Sequence, residues 1–302
     1  MSVWAPSKTQ SYQLPKETAP TFADRPLIRR RPWLWLNLTC LDAPIVAVLW
    51  QAAFARTFHL GLTGASQIAL FLTAWLIYLA DRFADAIALP LGVPKSLRQE
   101  ICLRYRGWWV SLLVIVATVD AFVVWSQLDQ RIFARGLGLG GAAIIYLSVN
   151  YIFGKLWRFL PLKEIAIGFL FAAGTLFTSA TQRPVTASLL FMAFLFACLC
   201  SLNCMSIAVW ECDLDRRQGK YSIATQWSSV KSNIRVALLI LTMICIALAI
   251  FDRDLRSLAV CLGLSSVFLS GLHFIPWPTD ERTALTDLVM LTPLAYFLGQ
   301  LF

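Results

Sequence analysis

Residues 187–209 form a run of 23 residues without one charged side chain, and the run stops at W-E-C-D-L-D-R-R-Q-G-K-Y-S-I-A-T, residues 210–225. A helix advances about 1.5 Å per residue and the hydrocarbon layer is about 30 Å thick, so such a run is long enough to cross a bilayer. The charged stretch then falls where the helix leaves the lipid. A second run ends the same way: residues 67–80 carry no charge, and Asp81-Arg82-Phe83-Ala84-Asp85 follows.

The rest of the chain agrees with a membrane solvent. With 58% hydrophobic and only 14% charged residues in 302, and a mean hydropathy of +0.67, there is more apolar side chain than a soluble core can bury. Nine apolar runs are candidate spans: 33–54, 67–85, 108–126, 137–153, 165–181, 187–210, 236–251, 258–275 and 285–301. The runs are continuous rather than alternating, which selects helices over a barrel. The expected fold is therefore an all-α integral membrane bundle of nine transmembrane helices over residues 32–302. Residues 1–31, polar and closed by Arg29-Arg30-Arg31, are expected to be a loose cytoplasmic tail. No short apolar leader with a small-residue cleavage site precedes the first span, so that span is expected to be a retained anchor.

Loop charge orients the bundle. With the N-terminus inside, 20 lysines and arginines fall on inner segments and six on outer loops: Arg56, Arg131, Arg135, Arg183, Arg253 and Arg256. This positive-inside bias predicts a multi-pass protein of a bacterial inner (plasma) membrane with a cytoplasmic N-terminus. The second and sixth spans then both run inward, and their acidic ends share the cytoplasmic surface. The net charge of +9 is spread over short loops and gives no contiguous basic face, so nucleic acid is not an expected partner, whereas anionic lipid is. The eight cysteines sit mostly within apolar runs, and Cys198, Cys200 and Cys204 lack a zinc-ligand spacing; they read as small buried hydrophobes.

Asp81 and Asp85 are four residues apart, one turn along one helix face, and Glu211 and Asp215 repeat that spacing. Each cluster alone reads as a solvated helix end with Arg82, Arg216 and Arg217 as local ion-pair partners. Two of them at one depth put four carboxylates near a low-dielectric border, where like charges repel. A hard divalent cation relieves that, and magnesium takes one or two carboxylates together with phosphate oxygens. Polar residues inside the spans, Asp42 and Asn203, are expected to face the interior, and Asn203 lies about two turns above Glu211 on the same face. It could line a pocket or bond a neighbouring helix. Asp120 and Asp287 are expected to be structural.

These residues resemble the UbiA superfamily of intramembrane prenyltransferases. The family's second motif, D-x-x-x-D-R-x-x-G-x-x-T/S, is matched by Glu211-Cys212-Asp213-Leu214-Asp215-Arg216-Arg217-Gln218-Gly219-Lys220-Tyr221-Ser222. Its first, N-x-x-x-D-x-x-x-D, is matched by Ile77-Tyr78-Leu79-Ala80-Asp81-Arg82-Phe83-Ala84-Asp85. The family's Y-x-x-x-K at the end of the fourth helix is matched by Tyr151-Ile152-Phe153-Gly154-Lys155. The resemblance, over about residues 33–302, implies a magnesium-dependent enzyme that moves a prenyl group from a prenyl diphosphate to a lipophilic acceptor. It implies Asp81, Asp85, Glu211 and Asp215 as catalytic magnesium ligands, and Lys155, Arg82 and Lys220 on phosphate oxygens. Tyr151 supports that end, and Asp213 sits where relatives often have another acid, near the acceptor. The sequence departs from the family at Ile77, which can bind neither metal nor phosphate, and at Glu211, which lengthens an aspartate arm. Two other readings stand beside the enzyme: a non-catalytic relative that binds lipid, which Ile77 favours, and a cation-coupled transporter. Transporters usually set such carboxylates near the mid-plane rather than at one surface.

Overall fold

The computed structural model describes residues 31, 33–152, 157–158, 162–180 and 185–298. The expected tail, apart from Arg31, lies outside these residues. In chain order the helices are α1 (Leu34–Leu38), α2 (Asp42–Thr57), α3 (Gly64–Ile87), α4 (Leu97–Arg104), α5 (Arg106–Gln127), α6 (Gln130–Ile152) and α7 (Lys163–Ala180). They continue as α8 (Ala187–Gln218), α9 (Ile223–Gln226), α10 (Val230–Phe251), α11 (Arg256–Leu272), α12 (Thr279–Leu288) and, after a 3-10 turn at Val289–Leu291, α13 (Thr292–Leu298). No strand occurs among the described residues.

Five helices are long and apolar enough to cross a membrane: α3, α5, the Ile132–Ile152 part of α6, α8 and α10; α11 is apolar but shorter. Their burial separates centre from rim. More than half of the apolar stretch of α8 is buried, 56%, against 11% in α5 and 6% in α6, so α8 is the axis and the others turn apolar side chains outward to lipid. The closest approach to that axis is α7. A methyl group on Gly168 would lie 2.4 Å from the Ser201 amide nitrogen, a contact no carbon tolerates, so the missing side chain is what lets the two backbones meet.

Two of the expected spans are broken. The run 33–54 is not one helix: α1 ends at Leu38, Cys40 takes a left-handed φ of 58°, and α2 begins at Asp42. Pro44 has no amide to bond the Cys40 carbonyl, so the helix cannot pass through this point and restarts instead. The Asp42 carboxylate accepts from the Ala43 amide at 2.9 Å and from Asn37 Nδ2 at 2.7 Å, and Trp75 Nε1 donates to the freed Thr39 carbonyl at 3.0 Å. The last span begins earlier than expected, at Thr279, and breaks at 289–291 for the same reason, since Pro293 cannot bond the Val289 carbonyl. That carbonyl accepts from Ser265 Oγ at 2.9 Å, and the Met290 carbonyl from Trp50 Nε1 at 2.8 Å. Trp50, fully buried and stacked on Phe196 at 4.6 Å, thus ties α2 to α8 and to the second break.

Candidate functional site

The acidic end of α3 is helical through Ile87, so Asp81 and Asp85 project from one face as their spacing predicts. The end of α8 is shaped by Gly219. It closes the helix at φ +71°, the left-handed position that favours glycine, and the Lys220 amide turns back to the Asp215 carbonyl at 2.9 Å. This reversal aims Lys220 across to α3, where Nζ stands 2.6 and 2.7 Å from the two oxygens of Asp85. One lysine side chain therefore joins the two motifs.

Each of the other acids has its own surroundings. Asp85 also accepts from Gln99 Nε2 at 3.1 Å, and Gln99 in turn pairs with Gln218 at 2.9 Å. Glu211 is held by Arg98 Nη2 at 2.5 Å and by Thr283 Oγ1 at 3.4 Å. The Tyr151 hydroxyl donates toward Asp81, 2.9 Å from Oδ1 and 2.6 Å from the main-chain oxygen. Asp215 lies in electrostatic reach of Glu211, Lys220 and Lys163. Asn37, Arg82, Asp85, Arg98, Gln99 and Trp109 line a small indentation beside these groups. Lys155 lies outside the described residues.

Two expectations need correction, and the choice left open for Asn203 is decided. Asp213 is not at the site: its side chain is 89% exposed and meets Arg216 at 3.3 Å, because two residues along a helix turn it away from the face of Glu211 and Asp215. Arg82 does not reach outward to phosphate. Its guanidinium lies 4.7 Å over the Tyr78 ring, bonds the Tyr78 hydroxyl, and is the cation facing Asp42 and Asp287, whose carboxyl groups meet one another inside the bundle. Asn203 belongs to that interior group, donating to Asp287 Oδ1 at 3.0 Å, so it serves a helix–helix bond. Asp42 faces the interior as expected. Asp287 is structural in this sense too, as is Asp120, which accepts from Thr73 at 2.9 Å.

Arg98 and Gln99 were not legible as site residues. They sit on α4, a short helix between two spans whose Ser96–Gln99 capping box is a local signal for the helix but not for what it touches. Among the described residues no three His, Cys, Asp or Glu side chains gather as a ready metal cage. The donor set is nevertheless all oxygen and comes as carboxylate pairs, which suits the mode in which magnesium takes one or two carboxylates and completes its shell with phosphate and water.

No protein-family model matches the sequence, and no curated protein matches it significantly. The fold is similar to a solved one, the apo structure of a UbiA homolog from Aeropyrum pernix K1. That alignment has a TM-score of 0.58 at 12% identity and covers 85% of this chain and 98% of the other. The chain is an integral membrane protein with the UbiA-type fold.

Proposed function

We propose that this chain, built on the UbiA-type fold, is a magnesium-dependent membrane prenyltransferase that moves a prenyl group from a prenyl diphosphate to a lipophilic acceptor. The observation that carries the reading is Lys220, which spans from the end of the α8 motif to Asp85 of the α3 motif. On this reading the diphosphate lies at that end, with Lys220 and Arg98 passing from carboxylate to phosphate oxygens as it enters. Asp81, Asp85, Glu211 and Asp215 hold the magnesium, which when bound neutralises charge on the departing diphosphate. Lys155 is assigned to the same phosphates. Tyr151 orients Asp81.

The chemistry needs little more from the protein. The bond between the first prenyl carbon and oxygen breaks, its electron pair leaves with diphosphate, and the acceptor attacks that carbon and gives up a proton. The apolar walls of the bundle exclude the water that would otherwise trap the allylic cation as an alcohol. The 20-to-6 distribution of basic residues supports a cytoplasmic position for this end, and on this reading the membrane is a bacterial inner membrane.

The test is a titration of the detergent-solubilised protein with prenyl diphosphates of graded length, with and without magnesium, beside Asp81→Asn and Asp215→Asn. Magnesium-dependent binding that both variants lose, with diphosphate release on adding an acceptor, is the expected result. Binding without release would favour the non-catalytic relative, for which Ile77 is the specific observation. No binding by folded protein would refute the transferase.

A further inference from the structure

A second cluster of polar side chains lies beside the acid motifs and is used by none of the chemistry above. The His273 ring, at the end of α11, packs on Trp210 of α8 with centroids 5.0 Å apart, and its Nε2 is 2.9 Å from Ser206 Oγ. The Arg282 guanidinium lies 5.2 Å over the other partner of that stack, Trp210, and Arg235 of α10 lies 5.8 Å over Phe274. Arg235, Arg282 and Lys231 all act electrostatically on His273. Arg282 over Trp210 and Arg235 over Phe274 thus flank His273, and Lys231 lies one turn before Arg235 on α10.

Among the described residues no ion pair neutralises these three cations. The ion pairs among the described residues engage Arg31, Arg98, Arg216 and Lys220, not Lys231, Arg235 or Arg282. Arg282 Nε is a buried donor with no partner among the described residues. An unpaired guanidinium donor and like charges near one another at a membrane border disfavour themselves unless an anion joins them. The neighbouring motif is separate from this cluster: Trp210 precedes Glu211 and Arg282 precedes Thr283, so α8 and α12 each send adjacent residues to different partners.

The surroundings identify the anion. Immediately after Arg235, α10 exposes Val236, Leu239, Ile240 and Met243, an apolar stripe suited to acyl chains, while Phe274 (70% exposed) and Trp277 stand at the helix ends where interfacial aromatics anchor. We propose that Lys231, Arg235 and Arg282 form a binding site for the phosphate headgroup of an anionic phospholipid whose tails lie along α10.

The full chain in nanodiscs of phosphatidylcholine, with and without phosphatidylglycerol, is delipidated stepwise and the retained lipid counted by native mass spectrometry. Wild type keeps phosphatidylglycerol in preference to phosphatidylcholine. That preference falls about fivefold for each cation removed, in Lys231→Gln, whose exposed side chain leaves the fold alone, and further in Arg235→Gln/Arg282→Gln. Arg253→Gln/Arg256→Gln, with the same loss of charge elsewhere, keeps it. Equal retention of the two lipids, an unchanged preference in Lys231→Gln and the double variant, or an equal loss in the control pair would overturn the site. Inorganic phosphate displacing the lipid fully, and stabilising protein held in phosphatidylcholine alone, would overturn the lipid as its occupant.

Discussion

Replacing Lys220 by methionine keeps the length and apolar stem of the side chain and removes only the ammonium. Asp85 then keeps Gln99 as its remaining donor. The ammonium lies against both carboxylate oxygens, and the two side chains are 26% and 25% exposed, so the pair is neither a solvated surface contact nor a fully desolvated one. Charge-assisted hydrogen bonds contribute ~1.5–3 kcal/mol, and the residual exposure places this one near the lower end, at about 1.5–2 kcal/mol. The two single changes are unequal. Lys220→Met leaves a partly buried carboxylate without its counter-ion, whereas Asp85→Asn leaves an ammonium on a flexible stem that can turn to water. Reversible unfolding in mixed micelles, run on wild type, both singles and the double, should return a coupling of about 1.5–2 kcal/mol, with Lys220→Met the costlier single. A coupling below about 0.5 kcal/mol, or Asp85→Asn as the costlier change, would refute the view that this lysine bridges the motifs.

Three further outcomes follow from the same structure. Gly168→Ala forces a methyl group against the Ser201 backbone, so α7 and α8 must separate; unfolding should show a loss of roughly 1–3 kcal/mol, and a value near zero would mean that the crossing is looser than described. Asp213→Ala removes only an exposed contact to Arg216 and should change stability by less than about 0.5 kcal/mol and leave diphosphate binding intact, while Asp215→Asn abolishes that binding. Burial, with Asp85 close by, holds the Cys102 thiol up at about 11. In a variant retaining only that cysteine, maleimide labelling should therefore keep rising through pH 10, and a plateau near pH 8.5 would contradict its buried setting.

What could be read without coordinates was whatever depends on neighbours along the chain. The apolar runs, the helical class and the shared face of Asp81 with Asp85 and of Glu211 with Asp215 all follow from helix period and from the cost of charge in lipid. The interior direction of Asp42 was legible for that second reason. Pro44 and Pro293 mark both helix breaks, since neither has an amide for the carbonyl four residues back, although each lies within a continuous apolar run. Arg82 shows where such inference stops. It stands between two acids in the motif and reads as a phosphate contact, yet it is engaged inside the bundle, by Tyr78 and by Asp42 and Asp287 carried on α2 and α12.

Arg98 and Gln99 became partners of the acid motifs only through the placement of α4, and the cations flanking His273 came together only through the convergence of α8, α10, α11 and α12. The sequence by itself determined that this chain dissolves in a membrane as helices and carries two acid pairs at helix ends, because hydropathy and helix period act within a few turns. Which cation meets which carboxylate was decided by tertiary structure alone. That choice depends on distances between residues far apart in sequence, and in a low-dielectric interior a difference of a few ångströms decides which pair forms.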